Sequence, residues 1–240
     1  MQDGLYVALS SQIALERRLN TIADNVANAS TVGFRATGVK FEDVISGLGQ
    51  KSVAFVSTGD TYLSTASGGM RETGNPFDFA VKGEAWFGLQ TPAGLVMTRD
   101  GRFTMQENGD LVSVEGYPVV DAGGAPIQLD PRAGPPEVGA DGMLRQAGQQ
   151  IGAIGLFTFD PGLNFTRFAN SGIIPNGQPE PVVDRIEMGV AQGFVEESNV
   201  NPILELTHLI SVQRAFENTS ALVRNTSETF SEAVRTLGSK

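Results

Sequence analysis

The chain of 240 residues contains no cysteine. Disulfides, thiolate metal sites and a cysteine nucleophile are therefore excluded. Histidine is almost absent too. The single copy, His208, lies between Thr207 and Leu209 in a helical pattern, with no His-Glu-x-x-His around it. It reads as a surface or seam residue, not a catalytic base. Positive charge is scarce, with 17 Lys and Arg against 27 Asp and Glu and a net charge of −10. Basic residues number 3 against 3 acidic in residues 1–36, 10 against 17 in 37–186, and 4 against 7 in 187–240. Nucleic acid and anionic lipid both need a basic footprint, so neither is an expected partner. Long apolar runs are also missing. Leu5-Tyr6-Val7-Ala8-Leu9 is shorter than a signal-peptide core, and nothing approaches the roughly 20 residues of a membrane span. The expectation is a chain without membrane insertion and without a cleaved signal.

Catalytic patterns are equally thin. No Gly-x-Ser-x-Gly elbow occurs. Gly47-Leu48-Gly49-Gln50-Lys51-Ser52 has Gln where a phosphate loop needs glycine before its lysine, and no strand-loop-helix context surrounds it. Asp100-Gly101 and Asn108-Gly109-Asp110 are turn sequences, not a calcium loop. Glu196-Glu197 reads as a solvated approach to a helix cap. The expectation is no catalytic residue, no cofactor and no metal site.

What is present is a helical pattern at each end. Alternating steps of three and four give Leu5, Ala8, Gln12, Leu15, Leu19, Ile22 and Val26, of which six of seven are apolar. That fits a narrow seam of about 33 Å ending near Ala29, where Asn28, Ser30-Thr31 and Gly33 supply stop signals. Near the other end, Ser198-Asn199-Val200-Asn201-Pro202 offers a cap and a first-turn proline. Glu205 suits the dipole of the helix that follows. Its seam reads Leu206, Leu209, Gln213, Phe216, Ser220, Val223, Ser227, Phe230, Val234 and Leu237, with seven of ten apolar and Gly238 as the stop.

Between the ends the pattern turns to strands. Phe41, Val44 and Ile45 suggest a short turn, and Val53-Ala54-Phe55-Val56 and Thr61-Tyr62-Leu63 short strands. From Phe77 to about Glu187 short strands alternate with glycine-rich turns, the sharpest hairpin signal being Asn108-Gly109 between Phe103-Thr104-Met105 and Leu111-Val112-Ser113-Val114. Recurring turns favour a compact barrel or sandwich over βαβ units. Trp86 and most of the 14 phenylalanines are assigned to its core. The expected fold is α+β: long N- and C-terminal helices pairing as a coiled-coil-like domain (1–35 with 198–240), an extended linker over 36–76, and a central, mostly antiparallel β domain over 77–190.

Three sets of residues, read together, carry a family resemblance. They are Asn25-x-Ala27-Asn28-x-x-Thr31-x-Gly33-Phe34-Arg35; the body set Gly74-Asn75-Pro76-Phe77-Asp78-Phe79-Ala80-Val81-x-Gly83, Trp86-Phe87, Thr98-Arg99-x-Gly101-x-Phe103 and Gly109-x-Leu111-Val112; and Glu197-Ser198-Asn199-Val200-Asn201-Pro202 with Ile210-x-x-Gln213-Arg214-Ala215-Phe216-Glu217. In this order, over nearly the whole chain, they closely resemble the bacterial flagellar axial proteins, and the short basal-body rod proteins among them. The opening and the Phe77–Phe87 region are more similar to the proximal-rod type than to the distal-rod type.

The resemblance implies a non-enzymatic structural subunit of the rod. It would polymerise head to tail into a torque-transmitting shaft in the periplasmic space, with other rod proteins and copies of itself as partners. Transient contact with the flagellar type III export apparatus would replace a cleaved signal. Assembly contacts are expected from Leu5, Leu15, Leu19, Ile22 and Val26 on the first seam, and from Asn25, Asn28, Thr31, Gly33 and Phe34 at its end. Asn199 and Val200 precede the second helix, which adds Leu206, Leu209, Gln213, Arg214, Phe216, Val223, Phe230, Val234 and Leu237. A different class, a secreted carbohydrate-binding or adhesive β protein on a coiled-coil stalk, would need an exposed aromatic platform near Trp86 or Tyr117.

Overall fold

The computed structural model describes residues 2–46, 53–139, 141–183 and 187–238. The phosphate-loop-like stretch, residues 47–52, lies outside them. The chain divides into two compact units, one of Met1–Ala27, Thr37–Thr61 and Asn201–Lys240, the other of Asn28–Ala36 and Tyr62–Val200.

The first unit is mainly helical. Helix α1 runs over Gln2–Ala27 and α2 over Pro202–Gly238, 26 and 37 residues long. Each boundary has a local cause. α1 stops where Asn28 accepts the Thr31 amide into a turn (3.0 Å). At α2 the Asn201 carboxamide oxygen accepts the Leu204 amide (3.2 Å), and Pro202 occupies the first helical position, where its missing N–H costs nothing. A hairpin of Asp43–Ser46 and Val53–Val56 packs on α1, with Val44 opposite Phe55. Val44 and Ile45 thus lie in a strand, not in a turn, because Ala54 and Phe55 supply the ladder partner.

The two helices pack on one another, but not as the long coiled-coil-like pairing read from the sequence. On α1 the seam residues turn inward, with Ala8 and Ile22 buried. On α2 the deepest residue is Val212, one step off the expected Gln213. Leu206, Val234 and Leu237 remain 46%, 70% and 80% exposed. A 3.5-residue seam drifts by about 20° per heptad on an α-helix that is not supercoiled. Over the nine steps from Leu206 to Leu237, interrupted by Gln213, Ser220 and Ser227, it leaves the face it started on. A cleft of about 440 Å³ opens where Gln12 stands near Phe216, Ser220 and Val223.

The second unit is β-rich. Its largest sheet is antiparallel, in the order Thr166–Phe168, Gly172–Ile174, Gly94–Thr98, Trp86–Thr91, Leu156–Thr158 and Glu180–Pro181. Successive side chains of a strand point to opposite faces. Trp86 accordingly joins Leu63, Met97, Val120, Phe157 and Ile173, while its neighbour Phe87 joins Phe79, Leu89, Phe103 and Leu111. The Asn108-Gly109 hairpin forms as the turn chemistry dictates, with Leu111 opposite Met105 and Gly109 at φ +92°. Two short pairings bring the C-terminal leg back onto the start of the body. Phe79–Lys82 pairs with Gly189–Gln192, and Met70–Glu72 with Phe194–Glu196.

Candidate functional site

Both end signatures deliver residues to one place in the β-rich unit. The segment after α1 turns at Gly33, whose φ of +69° lies in the left-handed region that favours glycine. A Cβ there would stand 2.2 Å from the Asp100 backbone nitrogen. The Gly33 amide donates to the Glu196 carbonyl (2.7 Å) and the Asn199 amide to that of Phe34 (3.3 Å). The Asn199 side chain accepts from the Ala36 amide (2.7 Å) and donates to Ala66 O (2.7 Å) and Ser64 Oγ (3.1 Å). Within the helical unit Asn25 does similar work. Its carboxamide both donates to and accepts from the Thr37 backbone, each at 2.9 Å.

At the centre of the site is a buried ion cluster. Glu196 is 2% exposed and its two carboxylate oxygens are divided between two arginines, Arg35 Nη2 at 2.7 Å and Arg99 Nη1 at 2.9 Å. The Gly68 amide also donates to Oε1 (3.0 Å). Both guanidiniums stand over the Trp86 ring, 5.8 and 5.2 Å from its centroid. Backbone carbonyls accept from further guanidinium nitrogens, Thr65 and Ala66 for Arg35 and Gly83 (2.7 Å) for Arg99, while the Nε of each is buried without a hydrogen-bond partner. Burial lowers the pKa of both arginines, Arg99 to about 10, with Glu196 pulling the other way. Arg99 therefore remains charged at neutral pH. Arg167 extends the cluster, stacking on Phe34 (4.3 Å) and donating to the Arg35 carbonyl.

The expected assembly residues fall into three groups. Asn28, Thr31, Gly33, Phe34, Asn199 and Val200 come together in the β-rich unit around this cluster. Leu5, Leu15, Leu19, Ile22, Asn25 and Val26 of α1, with Leu209, Phe216 and Val223 of α2, are buried or half-buried in the helical unit. Leu206, Gln213, Arg214, Val234 and Leu237 are exposed, and the side chain of Phe230 lies outside the description.

Sequence reasoning missed the cluster itself. Glu196 is not solvated; Glu197 is the exposed one of the pair, bridged to Arg71 at 3.2 Å. The available signal was the pair of arginines, Arg35 and Arg99, each fixed within an otherwise weakly charged motif. Trp86 is 8% exposed and Tyr117 half-buried against Phe168, so neither provides the open aromatic platform a glycan binder would need. Also missed was a second apolar stripe on α1, formed by Tyr6, Leu9 and Ile13.

Among the described residues no helix is long and apolar enough to cross a membrane, and no group of three or more His, Cys, Asp or Glu could hold a metal. A β body strapped by buried ion pairs to the legs of two terminal helices, both with free apolar faces, defines a class of assembly subunit. Three family models match in turn. They are "Flagella basal body rod protein" over residues 5–35, "Flagellar hook protein FlgE/F/G D1 domain" over 80–146 and "Flagellar basal body rod FlgEFG protein C-terminal" over 191–236. The flagellar basal-body rod protein FlgF of Mesorhizobium japonicum is 71% identical over the full length of both chains. That of Rhizobium meliloti is 56% identical over 99% of both, and FlgG of Bacillus subtilis 28% over 98% of both. The chain belongs to the flagellar basal-body rod protein family.

Proposed function

We propose that this protein, a structural subunit of the rod in the bacterial flagellar basal body, makes its axial contacts through the outward faces of its terminal helices. The observation that carries this reading is that α1 is apolar on two opposite sides. Ala8, Ala14 and Ile22 face inward, while Tyr6, Leu9 and Ile13, at helical spacing on the other side, are 58%, 46% and 48% exposed. α2 repeats the arrangement, with Val212 buried and Ile203, Leu206 and Ile210 turned outward. Stripes of this kind mark contact surfaces. Contacts between unlike patches that do not close into a ring generate a helical polymer, the geometry of a shaft under torque.

In this reading the partners are other rod proteins and copies of the same chain. The flagellar type III export apparatus is met only in transit to the periplasmic part of the basal body. The subunit has no turnover, in keeping with the structural rod proteins it is similar to. The much higher identity to FlgF chains than to FlgG chains favours a proximal over a distal position.

Ile13→Asp and Ile210→Asp test the reading. Each places a charge on an outward stripe, which is harmless in water and costly once a neighbour covers it. Swimming in soft agar should be lost, while the purified variants keep the near-ultraviolet dichroism of the parent. Normal swimming by both would overturn the proposal.

A further inference from the structure

Glu196 is the point on which separate stretches of the β-rich unit converge. The segment after α1 contributes the Gly33 amide and Arg35, the approach to the body contributes the Gly68 amide, and the residue following strand Gly94–Thr98 contributes Arg99. All of them donate, and the acceptor they share is supplied by the C-terminal leg. Without its carboxylate, Arg35 and Arg99 would face one indole as two like charges, both withdrawn from water. Repulsion of that kind is strong where the local dielectric is low. A buried charge deprived of its partner costs more than the pair contributed. Position in the chain adds a second element. Arg99 precedes its partner by 97 residues, and the large sheet is complete by Pro181. A chain synthesised from its N-terminus therefore holds both arginines, Trp86 and the sheet before it holds Glu196.

We infer that Glu196 is a completion latch: the socket of Arg35, Arg99 and Trp86 stays open until strand Phe194–Glu196 docks, so the body locks only when the leg leading into α2 is in place. The sheet forms without it. The junction that fixes both legs, residues 28–36 and 194–200, within the body closes last, and it closes both together, because the side chain of Glu196 holds Arg35 while its backbone carbonyl holds Gly33.

Refolding of the full chain, followed by pulsed hydrogen exchange and by the emission of Trp86, the chain's single tryptophan, tests this. The Val119 and Val120 amides, bonded within the body, should gain protection before those of Gly33 and Gly68. In Glu196→Gln, native exchange at Gly33 and Gly68 should accelerate on the order of 100-fold, with Val119 and Val120 changed by less than about 10-fold. Junction amides protected before the body amides, or a folded Glu196→Gln with Gly33 and Gly68 as protected as in the parent, would overturn the inference. Should Glu196→Gln unfold the whole chain, the triple variant Arg35→Met with Arg99→Met and Glu196→Met decides. It removes the like-charge contact and replaces the whole buried ion triad by apolar volume, a change proteins tolerate. Recovery of Trp86 emission and of Val119 and Val120 protection supports the latch; a triple variant no better folded than the single one rejects it.

Discussion

Phe79, Phe87, Val96, Met97 and Leu111 of the β-rich unit are wholly out of water, whereas Tyr6, Ile13, Ile203 and Ile210 of the helical unit are about half exposed or more. Both units draw on the same residue types, so composition does not explain the contrast. A sheet buries one set of side chains on each face, and this one has a core on both. A helix buries a stripe, and each terminal helix carries a second stripe for which its own unit provides no cover. The β-rich unit is finished within one chain. The helical unit presents apolar surface that neighbouring subunits would cover in the proposed assembly. Stability and assembly should therefore respond to different substitutions.

Phe87→Ala should have the largest effect on unfolding free energy, about 3–5 kcal/mol, because the ring is fully buried and its cavity is lined by a sheet that cannot collapse. Denaturant unfolding read by Trp86 emission measures it, and a loss below about 1 kcal/mol would break the contrast. Gly33→Ala should cost about 2–3 kcal/mol, combining a left-handed backbone with a methyl group against the Asp100 backbone. Thermal unfolding measures that loss. Asn25→Ala removes two hydrogen bonds from the Thr37 backbone and should cost about 1–3 kcal/mol, seen as faster exchange of the Thr37 amide. Ile210→Asp, the smallest, should change the stability of the isolated chain by less than about 0.5 kcal/mol. Its effect should appear only as failure to bind purified rod subunits. A large stability loss from Ile210→Asp would show that the outer stripe already has a partner within the chain.

Local chemistry was readable in the sequence and three-dimensional direction was not. Asn108-Gly109 gave its hairpin because a glycine at the left-handed position closes the short loop between Met105 and Leu111. Asn201-Pro202 gave the start of α2 because capping is complete within one turn. The positions of both terminal helices followed from period together with such cap and stop signals. Which way a stripe faces does not follow from period. Tyr6, Leu9 and Ile13 repeat at helical spacing as well as Leu5, Ala8, Leu15 and Ile22 do, and only packing selects between the two sides. The coiled-coil-like pairing failed for the same reason, because a seam written on paper carries no account of drift over 37 residues. Glu196 and Glu197 are indistinguishable as letters. What separates them is that strand Phe194–Glu196 ends beside Arg35 and Arg99, residues brought there from far away in the chain.

The two margins of the large sheet show what crowding demands of this molecule. One ends in the three residues Thr166–Phe168 and the other in the two residues Glu180–Pro181. A free strand edge is a template for another chain, and copies held side by side in a polymer meet at very high local concentration. Neither margin offers a long row of donors and acceptors. Pro181, having no N–H, also deletes a rung from the second. Edge-to-edge fusion of adjacent subunits is thereby discouraged, so the sheet can be stacked in a dense array without becoming the seed of an amyloid-like ladder.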